Sequence, residues 1–92
     1  MRVVTSQTID LFLDDEDAEV LPGRARGSYV LLKHVSVSIR SDMAGQRVYA
    51  NGDRCKKDGT FSEHWGRTIM SVDLPDDVRD KWVAFALRQI RI

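Results

Sequence analysis

The residues with the greatest chemical potential in this chain are one cysteine and two histidines, Cys55, His34 and His64. A structural zinc site needs closely spaced Cys or His ligands, and none of the three has such a neighbour. A catalytic Cys–His pair needs the thiol and the imidazole in hydrogen-bond contact, which Cys55 and His64 could reach only if their segment folds back on itself. A lone thiol on a strand is more often a small core residue. We therefore expect no metal, no cofactor and no enzymatic activity.

Basic and aromatic side chains are interleaved between positions 47 and 67, a combination that suits nucleic acid. Cations contact phosphates, and aromatic rings stack on bases. Three acids in the same stretch and a net charge of zero weaken the positive potential that such a surface needs. Nucleic-acid binding through this predicted hairpin region is therefore our alternative function, with Arg47, Arg54, Lys56, Lys57, Trp65 and Arg67 as candidate contacts.

An acidic run, Asp14–Asp17, follows the first predicted strand. Consecutive acids do not pack in a core, and Pro22, Gly23 and Gly27 supply turn residues, so the pattern predicts one long loop over 14–27. Loops of this length are often functional or mobile. The loop is our candidate protein-binding surface, and its acids would steer a basic partner. The candidate contacts are Asp14, Asp15, Glu16, Asp17 and Glu19.

Length and composition predict one globular domain. Of the 92 residues, 42% are hydrophobic and 30% are charged, and no apolar run approaches the length of a membrane span. The N-terminus lacks the apolar stretch of a signal peptide, so we expect a cytoplasmic protein without membrane association. Residues 1–23 carry six acids against one base, Arg2, whereas residues 24–47 carry five bases against one acid, Asp42. We expect these opposite charges to pair within the fold.

Period-two alternation predicts the strands that must position these side chains. The clearest case is 28–41, where Val35, Val37 and Ile39 alternate with polar residues. Further strands are predicted at 2–13, 46–50, 54–57 and 67–74. Asn51-Gly52 has the composition of a type I′ hairpin turn, and Asp58-Gly59 is a second turn signal. The stretch 60–66 has no clear period and is predicted to be irregular.

The C-terminal segment from Pro75 to Ile90 is predicted to be one amphipathic helix. Pro75 suits the first helical position, and Asp76 and Asp77 complement the positive end of the helix dipole. Apolar residues at helical spacing form a broad arc that should pack on the sheet. They are Val78, Trp82, Val83, Phe85, Ala86, Leu87 and Ile90. The predicted fold class is therefore α+β: a mostly antiparallel sheet of four to five strands with this helix on one face.

Two resemblances to known families bear on function. The stretch Arg67-Thr-Ile-Met-Ser-Val-Asp-Leu-Pro-Asp-Asp-Val78 resembles the opening of a ribbon-helix-helix DNA-binding protein, in which a strand meets a helix through Leu-Pro. That family begins with its strand, whereas three strands precede this one, so no site residue is carried over. In its size, its ten arginines against four lysines and its lack of a catalytic motif, the chain resembles the small orphan accessory proteins of actinobacterial, especially mycobacterial, phages.

The second resemblance implies a protein that binds a host protein in the host cytoplasm and alters growth, division or superinfection without catalysis. Together with the absence of a catalytic pattern, it makes a small non-enzymatic protein-binding module our first functional hypothesis.

Overall fold

The fold is built around one long central strand. The structure, a computed structural model, describes residues 1–42 and 44–90. It contains β1 (Ser6–Phe12), β2 (Val20–Pro22), β3 (Tyr29–Arg40), β4 (Gln46–Cys55), β5 (Ile69–Ser71) and the helix α1 (Asp76–Gln89). The strands form one antiparallel sheet in the order β1-β3-β4-β5, and β2 pairs with the first residues of β3. The predicted α+β class, with one C-terminal helix on the sheet, is confirmed.

The alternation of β3 places one row of apolar side chains beneath the helix. Val35, Val37 and Ile39 are buried as predicted. The buried row changes parity at Lys33, where the pairing of β3 with β4 is irregular, so that Val30 and Leu32 lie on the same face of the sheet as Val35. This bulge lets the buried residues at both ends of the strand contribute to one core.

The helix buries a narrower stripe than the sequence pattern predicts. Trp82, Val83 and Ala86 are buried against the sheet. Phe85 and Leu87 belong to the predicted apolar arc but remain 40% and 37% exposed. A helix packed on a sheet buries only the side that faces the sheet. Residues at the margins of a wide apolar arc therefore remain partly exposed. Pro75 precedes the first helical residue as the N-cap.

Two predicted loops and turns are wrong. The segment 14–27 is not one loop, because β2 lies within it and its Leu21 is buried at 6% exposure against β3. Asn51-Gly52 is not a hairpin turn, because β4 continues through both residues. A Cβ atom at Gly52 would lie 1.9 Å from the carbonyl oxygen of Leu31. Glycine is therefore present for the close approach of two backbones, not for a turn.

The other boundaries differ less. β1 begins at Ser6 instead of residue 2, and the predicted strand 67–74 is shortened to Ile69–Ser71, with Thr68 and Val72 making one further backbone hydrogen bond each to β4. The Asp58-Gly59 turn is confirmed, with a φ of +86° at Gly59. Residues 60–66 contain no helix or strand, as predicted. The short segment 42–45 between β3 and β4 is also predicted to be a turn, and its Met43 lies outside the described residues.

Candidate functional site: the groove between β1 and α1

A groove of about 360 Å³ separates the outer edge of β1 from helix α1. Leu11 and Leu13 form its floor from the strand side, and Trp82 and Phe85 line it from the helix. Lys81 and Arg88 stand on the helical rim, and Asp17 lies on the opposite rim. The groove thus combines an apolar floor with charged borders, an arrangement found at protein-recognition sites.

The strand side of the groove is a free sheet edge. The carbonyl oxygen of Thr5 and the N–H of Leu13 bond to β3 across 2.8 Å, so the odd-numbered residues of β1 direct their backbone groups into the sheet. The backbone groups of Ser6, Thr8 and the later even-numbered residues therefore point away from β3. Within residues 1–42 and 44–90, no strand pairs with this outer side of β1. A free edge presents N–H and C=O groups that can pair with another chain.

The helical side presents one aromatic residue between two cations. Lys81, Phe85 and Arg88 are spaced by four and three residues and therefore follow one side of α1. The Lys81 ammonium lies 4.6 Å from the ring centre of Trp82, and the Arg88 guanidinium lies 5.5 Å from that of Phe85. The cations therefore cover part of the aromatic surface while keeping their charge in water.

Trp82 carries an unsatisfied polar group at this groove. The side chain is 7% exposed and meets Phe85 edge to face, with ring centres 6.0 Å apart. Its indole N–H is buried and has no hydrogen-bond partner among the residues that the structure describes. A buried donor without an acceptor costs about 1–3 kcal/mol.

The predicted acidic surface is partly used within the fold. Asp15 pairs with Lys33 at 3.0 Å, and this hydrogen bond and the lysine charge lower the pKa of Asp15. Glu19 lies 3.8 Å from Lys81. The carbonyl of Asp14 accepts the N–H groups of Asp17 and Ala18 and so closes a turn. The side chains of Asp14, Glu16 and Asp17 are exposed, and the last of them borders the groove.

A cluster of side chains around His34, which sequence reasoning missed, lies on the open face of the sheet, opposite the helix. His34 Nε2 lies 2.9 Å from Asp10 Oδ1, and the Asn51 amide lies 3.4 Å from His34 Nδ1. The ring of Phe12 stacks on the imidazole at 4.7 Å. The hydrogen bonds from His34 and Ser36 lower the pKa of Asp10. Both imidazole nitrogens thus have protein partners.

Cys55 and His64, the pair considered for thiol chemistry, lie in different environments. Cys55 is 2% exposed, and burial raises the pKa of its thiol, which disfavours the reactive thiolate. His64 is exposed, and its backbone N–H donates to Ser62. Within the described ranges 1–42 and 44–90, no group of three His, Cys, Asp or Glu side chains is placed to hold a metal ion.

The candidate nucleic-acid contacts are spread along the sheet. Arg47 is near the start of β4, and Lys56 and Lys57 follow its other end, about 30 Å away at strand spacing. The Arg54 guanidinium lies 3.9 Å from the ring centre of Trp65, and Arg67 covers Phe61 at 5.1 Å. One face of the candidate stacking residue Trp65, and one face of Phe61 in the same stretch, is therefore occupied by an arginine of the same chain.

Comparisons with protein-family models, with curated proteins and with solved structures found no match. No helix in the part of the chain that the structure describes is long and apolar enough to cross a membrane.

Proposed function

We propose that this protein is a small non-enzymatic protein-binding module that uses the groove between β1 and α1. The observation that carries the proposal is Phe85, a large apolar side chain left 40% exposed in a groove whose strand side is unpaired among the residues that the structure describes. Aromatic residues near the centre of a desolvated patch contribute most of the binding energy in protein interfaces. The exposed acids Asp14, Glu16 and Asp17 would act at the rim.

Two features of the geometry favour protein binding over catalysis and over nucleic acid. His34 is held by Asp10 and Asn51 on the open face of the sheet, away from the groove, and Cys55 is buried with the pKa of its thiol raised by burial. Of the cations predicted for phosphate contact, Arg47 lies at the opposite end of β4 from Lys56 and Lys57. In line with the resemblance to phage accessory proteins, the proposed partner is a host protein in the host cytoplasm, whose binding alters growth, division or superinfection.

Two helix variants test the proposal. Phe85→Ser removes the aromatic side chain from the groove, whereas Leu87→Ser removes a similarly exposed apolar side chain, at 37%, that does not line it. Each purified protein is immobilised and exposed to nuclease-treated actinobacterial lysate, and a captured protein is then purified and titrated calorimetrically. We expect Leu87→Ser to retain the wild-type affinity and Phe85→Ser to lose about 10-fold or more, as a truncated interface anchor does.

Equal affinities for the two variants would refute the groove as the binding surface. Loss of capture after nuclease treatment would instead favour the nucleic-acid alternative.

A further inference from the structure

We infer that the partner enters the groove as an extended segment that adds an antiparallel strand to the outer edge of β1 and carries acidic residues toward α1. This inference rests on the proposed function and specifies the conformation and chemistry of the bound segment. Three observations support it: the free backbone groups of β1, the alternation of apolar and cationic residues along the helix, and the positive charge of the helical rim.

The first argument comes from the backbone. The even-numbered residues of β1 direct their N–H and C=O groups outward, and the described strands leave that side unpaired. An added strand would satisfy these groups, while its alternate side chains would enter the space beside Leu11 and Leu13. A helical ligand would fill the apolar floor but would leave the strand edge unpaired. The edge therefore favours an extended segment.

The second argument comes from spacing. Lys81 and Arg88 are separated by seven residues, about 10.5 Å along the helix axis, with Phe85 between them. Every second residue of an added strand faces the helix, so residues i and i+4 lie about 13 Å apart with one groove-facing residue between them. Long Lys and Arg side chains span the difference. The matching sequence is therefore Glu-x-Leu-x-Glu.

The third argument is the charge at the groove. Arg88 has no ion pair among the described residues, and Lys81 has only the 3.8 Å contact with Glu19. Asp10 belongs to the strand beside the groove, but its carboxylate is held on the other face of the sheet by His34. The helical rim is therefore positive toward an incoming segment, and acids are the complementary side chains.

The probe is the capped peptide Thr-Glu-Thr-Leu-Thr-Glu-Thr, titrated into ¹⁵N-labelled protein at up to millimolar concentration. We expect shift changes that saturate and are centred on β1 and on the Lys81–Arg88 side of α1, with the Trp82 indole signal among them. The same peptide with lysine in place of glutamate should bind more weakly. No saturable shift with the glutamate peptide would overturn the inference.

Backbone methylation of the probe separates strand addition from other modes of binding. In an antiparallel added strand, the threonine N–H groups face β1 and the Glu and Leu N–H groups face solvent. Methylating the threonine nitrogens should weaken binding at least about 10-fold, as expected when backbone hydrogen bonds are blocked, whereas methylating the others should change it little. Equal effects of the two methylation patterns would overturn strand addition.

Protein variants provide the matching test from the other side. Thr8→Pro removes one outward N–H, which an edge strand tolerates, and Thr8→Ala removes the same contact with the Ser38 hydroxyl while keeping that N–H. Circular dichroism first checks that both variants are folded. Only the proline variant should then fail to bind the probe peptide. Arg88→Gln should weaken the glutamate peptide about two- to five-fold, and Arg79→Gln, outside the groove, should not.

The two proposals fail separately. If Phe85→Ser abolishes probe binding while Thr8→Pro and threonine N-methylation have no effect, the groove is a binding site but strand addition is wrong. If the captured partner binds Phe85→Ser as well as wild type, the proposed function itself is wrong.

Discussion

At the scale of single residues, Asp10, His34 and Asn51 form the best-connected polar group on the open face of the sheet. A carboxylate can only accept a hydrogen bond, so in neutral His34 the Nε2–H donates to Asp10 and Nδ1 accepts from the Asn51 amide. Phe12 covers the ring by stacking. The cluster ties β1, β3 and β4 together through side chains as well as through the sheet.

The lowered pKa of Asp10 makes this cluster sensitive to acid. A carboxyl group whose pKa falls below its usual 3.8 in the folded state stabilises the fold above that pH, and the contribution disappears as the pH falls through the folded pKa. Asp10→Asn should therefore melt at a lower temperature than wild type at pH 6, and the difference should shrink as the pH falls below 3.8 and through the lowered pKa of Asp10. Melting curves across this range check it, with Glu16→Gln, an exposed acid without an ion pair among the described residues, as the control.

If acidification leaves the Asp10→Asn deficit unchanged down to the lowest pH at which the wild-type protein stays folded, the stability comes from packing, not from the ionised carboxylate.

Sequence reasoning could not find this cluster because it depends on register. His34 lies opposite Phe12 on one side and Asn51 on the other. The second pairing follows from the irregularity at Lys33, which shifts β3 by one residue relative to β4. A lone histidine in an alternating strand gives no sign of such a shift, and the mistaken turn at Asn51 placed its amide at a hairpin tip.

At the scale of elements, alternation and helical spacing predicted those elements that local side-chain patterns define. The buried face of β3 and the C-terminal helix follow directly from apolar periodicity. The continuous β4 does not, because Asn-Gly satisfies turn geometry locally and only the Leu31 backbone, twenty-one residues away in sequence, explains the glycine. β2 escaped prediction for a related reason: three residues are too few to show a period.

Gly52 and Gly45 form a matched pair for testing this explanation. A methyl group at Gly52 would collide with the Leu31 carbonyl, whereas at Gly45 the nearest atom is the Arg40 Cδ at 4.0 Å. Gly52→Ala should lower the free energy of unfolding by about 1–3 kcal/mol, or more if β3 and β4 separate, as overpacking in a core does. Gly45→Ala should stay within about 0.5 kcal/mol of wild type. Urea titrations measure both.

Similar stabilities for the two alanine variants would mean that β4 relaxes away from Leu31 at little cost, against the close packing described.

At the scale of the whole molecule, opposite charges are joined across the chain. Asp15 meets Lys33, Arg2 meets Asp42, and Arg24 meets Asp73 at 2.8 Å. The Asp15–Lys33 pair joins an acid of the first segment to a base of the second, the kind of pairing that the sequence predicted, whereas Arg2–Asp42 joins the two segments in the opposite sense. The groove itself was beyond sequence reasoning, because it arises where an edge strand near the N-terminus meets a helix about seventy residues later.

This dispersed charge sets the expected behaviour toward nucleic acid. Arg47 lies at the opposite end of β4 from Lys56 and Lys57, and three acids accompany the cations of the 47–67 stretch, so the positive potential toward phosphates is weak. Any affinity for DNA or RNA should be weak and largely lost between about 50 and 200 mM salt. Fluorescence anisotropy with a labelled oligonucleotide tests this, and Lys56→Ala with Lys57→Ala provides the variant. Tight, sequence-dependent binding at physiological salt that this variant abolishes would make nucleic acid the primary ligand.

The extended conformation of Asn51-Gly52 also has a consequence for the chemical ageing of the protein. In a flexible chain this dipeptide deamidates readily, because the glycine nitrogen can attack the asparagine side-chain amide and close a five-membered ring. Here strand pairing with Leu32 and Met70 holds the glycine backbone on both sides, and the asparagine amide contacts His34. Ring closure therefore requires local opening of β4, so the aspartate that accumulates at position 51, measured by peptide mass spectrometry, records how long the strand has been open.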